Sequence, residues 1–154
     1  MTPVEILEKI KTKFPVVAST EAFGILNMET EQNKLRPLLV FLRDELNFDF
    51  MNFMTGVDRP TENIIEVVYQ LFSFSTKASI VIRIKLDRTK PEIETVSDIY
   101  RTAEWHEREA AEMFGIVFLN HPDPRILLLP ENFKGQPLKK DFRHPNMTPL
   151  PEVK

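Results

Sequence analysis

Residues 79–86 alternate strictly: Ile80, Ile82, Ile84 and Leu86 share one parity, while Val81, Arg83 and Lys85 take the other, with Asp87 continuing it. That period is the signature of a strand with one face buried and one face wet. The chain therefore has to build a sheet with something covering one side. Residues 48–54 and 64–74 read as further strands, with a hairpin loop over 74–78, and residues 16–18 and 23–28 as two short strands around a polar turn.

The cover comes from helical periodicity. Thr2-Pro3-Val4-Glu5 has a hydroxyl cap, a proline in the first turn and a glutamate three residues after the cap. Ile6, Leu7, Ile10 and Phe14 then form an apolar stripe that Pro15 ends. Leu35, Leu38, Leu39, Leu42 and Leu46 mark a second amphipathic helix, with Pro37 expected in its first turn. The chain turns helical again after Ser97, and residues 105–114 predict a helix that Gly115 closes in the left-handed conformation. The expected fold is a two-layer α+β domain with helices packed on a mixed, mainly antiparallel sheet.

At 154 residues one core suffices. From His121 onward the texture changes: more than half of the twelve prolines fall there and apolar periodicity lapses, leaving only a short strand or bend over 126–129. The expected organisation is a domain over residues 1–130 and an extended, Pro-rich C-terminal tail over 131–154 that docks on a partner. The few large apolar side chains of residues 137–154 predict that a chain ending at Gln136 still forms a folded domain.

Several function classes are disfavoured. With no cysteine, thiolate nucleophiles, disulfides, zinc knuckles and cysteine-ligated iron–sulfur clusters are excluded together. The four glycines, Gly24, Gly56, Gly115 and Gly135, never cluster into a phosphate-cradling loop, so the common nucleotide, flavin and NAD sites lack their backbone. A net charge of -3 offers no broad field for nucleic acid. No apolar run is long enough to cross a bilayer. The start lacks a secretory core or an Arg-rich transit pattern, and the expected compartment is the bacterial cytoplasm or the interior of an organelle that encodes the protein.

Glu104, His106, Glu107, Glu109 and Glu112 crowd one helix and invite a standalone acid/base or metal enzyme using the Glu107/Glu109 helix. The spacing argues otherwise. Four residues after His106 stands Ala110 where a zincin helix needs histidine, and no Glu-x-x-His occurs. A solvated face with an ion pair between Glu104 and Arg108 explains the cluster more cheaply. His121-Pro122-Asp123 also matches the tripeptide of J-domain co-chaperones, but Pro124 and the apolar run over 116–119 do not suit two flanking helices. Lys134, Lys139, Lys140 and Arg143 face only Asp141. With Pro137, Leu138 and Phe142 interleaved, the stretch reads either as a solvated basic tail or as a docking segment.

Glu107-Arg108-Glu109-Ala110-Ala111-Glu112-Met113-Phe114-Gly115-Ile116, followed by His121-Pro122-Asp123-Pro124-Arg125, resembles the signature of the complex I 30 kDa subunit family of NADH-quinone oxidoreductases. Met54-Thr55-Gly56-Val57-Asp58 resembles that family's T-G-V-D element, and Trp105 the aromatic before E-R-E. Leu129-Pro130-Glu131 and Gly135-Gln136-Pro137-Leu138-Lys139-Lys140-Asp141-Phe142 resemble its ending. Ala111, Glu112, Asn120, Ile126 and Gln136 depart from the usual pattern, which leaves open a branch among membrane-bound hydrogenases and ferredoxin- or F(420)-linked relatives.

The resemblance implies a non-catalytic structural or assembly subunit of the peripheral arm, supporting electron transfer to quinone and coupled ion translocation. It implies no cofactor in this chain, with iron–sulfur clusters, FMN and quinone in partner subunits. The implied partners are the large quinone-site subunit and the subunit that holds the terminal iron–sulfur cluster. Membrane association is then indirect, on the cytoplasmic side of a bacterial inner membrane or its organellar equivalent. The implied interface set is Trp105, Glu107, Arg108, Glu109, Glu112, Phe114, Gly115, His121, Pro122, Asp123, Arg125, Lys139, Lys140, Asp141 and Phe142. In it Arg108 and Arg125 act as bidentate donors and the glutamates as acceptors.

Overall fold

The computed structural model describes residues 2–15 and 18–148. Helix α1 spans Pro3–Lys11 and opens with the expected capping box, Thr2 and Glu5 bonding each other's backbone N–H groups at 2.9 and 3.3 Å. Strands β1 (Ala18–Ala22) and β2 (Ile25–Glu29) follow, then α2 (Gln32–Leu46), β3 (Phe50–Arg59), β4 (Ile64–Ser73), β5 (Ala78–Asp87), β6 (Glu92–Glu94), α3 (Ala103–Phe114) and β7 (Val117–Leu119). The main sheet runs β1-β2-β5-β4-β3, antiparallel except where β2 lies parallel to β5. Strands β6 and β7 form a separate parallel pair.

The alternation works as read. Ile80, Ile82, Ile84 and Leu86 are buried beside Ile65, Val67, Tyr69 and Leu71 of β4, and all five leucines of α2 close over them. Among the described residues the opposite sheet face carries no helix. It keeps Glu66 buried by laying Arg59 and Arg83 across it, at 2.8 and 3.4 Å. The fold is the expected two-layer α+β arrangement.

Two local readings differ, and a third falls largely outside the described residues. The predicted strand at 16–18 lies outside the described residues except for Ala18. The first turn sits at Phe23 and Gly24, both at positive φ, the geometry of a two-residue hairpin turn. Phe23 is therefore a fully exposed turn tip and not the start of a strand. Pro37 is interior to α2, because the helix starts at Gln32; what is lost is one backbone donor on an otherwise intact helix.

Candidate functional site

On α3 the residues Ala103, Glu107, Ala110 and Phe114 recur at helical spacing and face the core. Phe114 packs against β3 at Gly56, where an added Cβ would lie 2.7 Å from its ring. The T-G-V-D strand and the Met-Phe-Gly helix end thus meet at the one position on β3 that has no side chain. Gly115 caps α3 at φ +74, with the Gln136 side chain over it.

Glu107 is fully enclosed. Its carboxyl accepts from the Thr95 hydroxyl and, at 2.7 Å, from the Val96 amide. The His121 ring stands 3.6 Å away; its Nδ1 accepts from the Asp123 amide at 3.0 Å, which leaves Nε2 carrying the proton toward the Glu104 carbonyl at 3.1 Å. Arg36 ties the same loop to α2 through the Thr95 carbonyl and a bidentate pair with Asp98.

Burial pushes the Glu107 carboxyl up to about 7; the Thr95 and Val96 hydrogen bonds and Arg36 oppose the rise, and Asp98 adds to it. The unfolded carboxyl titrates near 4.5. Because the folded value is higher, this group's contribution to stability is fully present below the unfolded value. It falls by up to ~1.4 kcal/mol per pH unit as the pH climbs and is gone once the pH has passed about 7. Glu107→Gln should flatten that stretch of the stability-against-pH curve in urea unfolding, and identical slopes in the two proteins would disprove the assignment.

Arg108 and Glu112, one turn apart, work on the neighbouring loop. The buried Arg108 guanidinium donates to the Arg125 and Ile126 carbonyls at 2.8 and 3.0 Å and lies 3.5 Å from Asp123. Glu112 accepts the amides of Leu127, Leu128 and Leu129 at 3.3, 2.8 and 3.2 Å. One cation and one anion of a single helix edge thus hold a loop that has no sheet or helix bonds of its own. Arg125 closes bidentately on Asp123 at 2.7 and 2.8 Å, and it, with Arg108, holds that carboxylate well below its ordinary range. Above the clamp the Trp105 ring covers Arg108 at 5.3 Å while remaining 56% exposed, and Leu128 is 60% exposed.

The expected Glu104–Arg108 pair is absent among the described residues, because Arg108 is committed to the loop. Glu109 stands exposed, two residues from the buried Glu107 and on the other side of the helix, so the two carboxyls of the enzyme reading do not converge. No three His, Asp or Glu side chains gather where they could hold a metal ion among the described residues. His121-Pro122-Asp123 follows strand β7 and joins no helix pair. Pro122 is exposed.

Lys139, Lys140, Asp141 and Phe142 form a second group at the far end of the sheet. Asp58, buried on β3, accepts a bidentate pair from Arg88 at 2.7 and 3.0 Å and the Lys140 amide at 2.8 Å; Arg88 then reaches Asp141 at 2.7 Å. The Leu138 amide donates to the Met113 carbonyl at 3.1 Å, carrying the tail across the end of α3. Residues 131–144 are thus stitched to the domain, although residues 131–148 contain no helix or strand.

Sequence reasoning gave Arg88 and Thr95 no role. Asp58 carried a usable signal: it shares the parity of Met54 and Gly56 on the core side of β3, and an acid at such a position needs a cation.

A family model described as "Respiratory-chain NADH dehydrogenase, 30 Kd subunit" matches residues 28–148. The C subunit of the F(420)H(2) dehydrogenase of Methanosarcina mazei is 34% identical over 148 residues, covering 93% of this chain and 94% of that one. The C subunit of the NADH-quinone oxidoreductase of Moorella thermoacetica is 33% identical over 137 residues, covering 89% and 93%. Among solved structures, a trypsin-resistant fragment of Nqo5 superposes with a TM-score of 0.68 at 25% identity, over 80% of this chain and 99% of that one. A chain of the membrane-bound sulfane sulfur reductase, an archaeal respiratory membrane complex, superposes at 0.70 with 30% identity, over 77% and 71%.

Proposed function

The chain belongs to the family of the respiratory-chain NADH dehydrogenase 30 Kd subunit, and from that premise we propose that it is a non-catalytic structural subunit in the peripheral arm of a complex I-type NADH-quinone oxidoreductase. It supports electron transfer to quinone and the ion translocation coupled to it. FMN, iron–sulfur clusters and quinone belong to its partners, of which the large quinone-site subunit and the subunit with the terminal cluster are its neighbours. It reaches the membrane through them, on the cytoplasmic side or its organellar equivalent.

The observation that carries this reading is the Arg108–Glu112 clamp. It fixes a loop whose exposed Ile126 and Leu128 lie along the same helix edge as the exposed Trp105. Rigid aromatic and aliphatic anchors around a paired arginine are what a protein interface uses. Residues 131–154 are proposed as a second docking segment, presented by the contacts at Asp58 and Arg88.

A second reading keeps the architecture and changes the complex, with the chain serving a F(420)H(2)-linked or sulfur-reducing relative. It is favoured by the similarity to the Methanosarcina mazei protein and by the sulfane sulfur reductase structure. The electron donor oxidised by the purified complex separates the two.

The double variant Trp105→Ala, Leu128→Ser tests the surface. Both side chains are largely exposed, so the isolated chain should lose no more than ~1 kcal/mol, mainly the ring over Arg108. Recovery in the membrane-bound complex should fall about tenfold. Full recovery of the variant in the complex would remove this edge from the interface.

A further inference from the structure

Residues 133–144 fold back on themselves into a closed loop. The rings of Phe133, Phe142 and His144 lie nearly parallel, with centroids 6.0, 6.1 and 6.4 Å apart. Phe142 also fills the space over Gly135, where a Cβ would lie 2.9 Å from its ring and φ is +91. Short backbone bonds from the Lys139 amide to the Gln136 carbonyl and from the Phe142 amide to the Lys139 carbonyl shape the turn. The Asp58 bond to the Lys140 amide seats the loop on the domain.

The charges on this loop are one-sided. It carries Lys134, Lys139, Lys140 and Arg143 against a single acid, Asp141, and that acid is taken by Arg88. None of the four cations makes an ion pair among the described residues. Within the described residues Asp58 accepts from the Lys140 backbone amide, and Arg143 donates to the Phe142 and Lys140 carbonyls. The loop is thus net +3, counting histidine as neutral, in a chain of net -3, so the remainder carries -6.

We infer that this loop grips an acidic segment of a partner polypeptide. The inference rests on the reading that the chain docks in a multi-subunit complex, and it assigns the chemistry of one contact. Four cations on a loop closed by its own rings need little further ordering to meet carboxylates. A nucleic acid or a lipid surface fits less well than a short acidic peptide segment. An RNA strand or an anionic membrane would also meet the remaining acidic surface, and the three rings face one another where bases would have to stack.

The test uses the full chain and a labelled decaglutamate peptide, followed by fluorescence anisotropy. The peptide should bind at low salt and weaken about tenfold or more by ~0.15 M salt. Lys134→Gln, Lys139→Gln, Lys140→Gln and Arg143→Gln together should weaken it at least about tenfold. A charge-matched set, Lys11→Gln, Lys34→Gln, Lys77→Gln and Arg101→Gln, should leave binding within about twofold. The inference is overturned if the peptide does not bind, if the two sets weaken it equally, or if phosphatidylglycerol vesicles or an RNA oligonucleotide bind the loop more tightly. The docking reading is judged separately, by whether the unaltered chain is recovered with a membrane-bound complex. Within that complex the loop variant should dissociate at lower salt, and unchanged salt resistance would also overturn the acidic contact.

Discussion

Arg108→Ala should lower the stability of the isolated domain by about 3–5 kcal/mol, because it opens a buried charged contact from one side. Two carbonyls, of Arg125 and Ile126, lose a charged donor, and Asp123 is left with Arg125 alone. Arg108→Lys should recover only part of this, since an ammonium has no planar fork to reach both carbonyls. Glu112→Ala attacks the other half of the clamp by stranding three consecutive amides. If the two halves hold one loop, the double variant should lose less than the sum of the single losses, with a coupling of ~1–2 kcal/mol in a denaturant double-mutant cycle. A loss below ~1 kcal/mol for Arg108→Ala would show the guanidinium to be merely solvated.

Asp58→Ala should cost on the order of 3 kcal/mol and should also free the tail. Its carboxylate is held below the ordinary range by the Arg88 guanidinium first and then by the Lys140 amide. Without it Arg88 keeps only the exposed Asp141, and the Lys140 amide has no acceptor. Limited trypsin digestion reads the second effect directly: cleavage after Lys139 and Lys140 should accelerate well before global unfolding. Asp141→Ala, which removes only the exposed partner, should cost under ~1 kcal/mol. Equal cleavage rates in wild type and Asp58→Ala would mean that the tail is held by something other than this junction.

How far the fold could be read depended on the range of the interaction. The leucines of α2 and the β4–β5 hairpin declare themselves in stretches of about ten residues, because one periodic face is buried in each. The first hairpin was displaced because Phe23, apolar in sequence, serves as a turn tip. Strand β7 falls in the apolar run over 116–119, whereas β6, three residues long, exists only because it pairs in parallel with β7 across α3 and leaves no pattern of its own.

The site divides in the same way. That the segment around Arg108 matters was legible from its motif, and the closure of α3 at Gly115 from local chemistry. That Glu107 lies inside was not, because the acidic cluster reads as a wet face until Phe114, Ala110 and Ala103 fix which side is buried. The stitching of the tail depends on Asp58, Arg88 and Asp141, separated by 30 and 53 residues, and no local pattern announces such pairs.

Recovery of the native chain from detergent-solubilised membranes, with the accompanying proteins and their iron content recorded, tests the structural role without intermediate steps. A structural subunit of a complex I-type peripheral arm should elute in a stoichiometric multi-subunit complex whose iron–sulfur signals belong to other chains, and none of the chain should turn over alone. Recovery as a free monomer with its own oxidoreductase or hydrolytic activity would contradict that role.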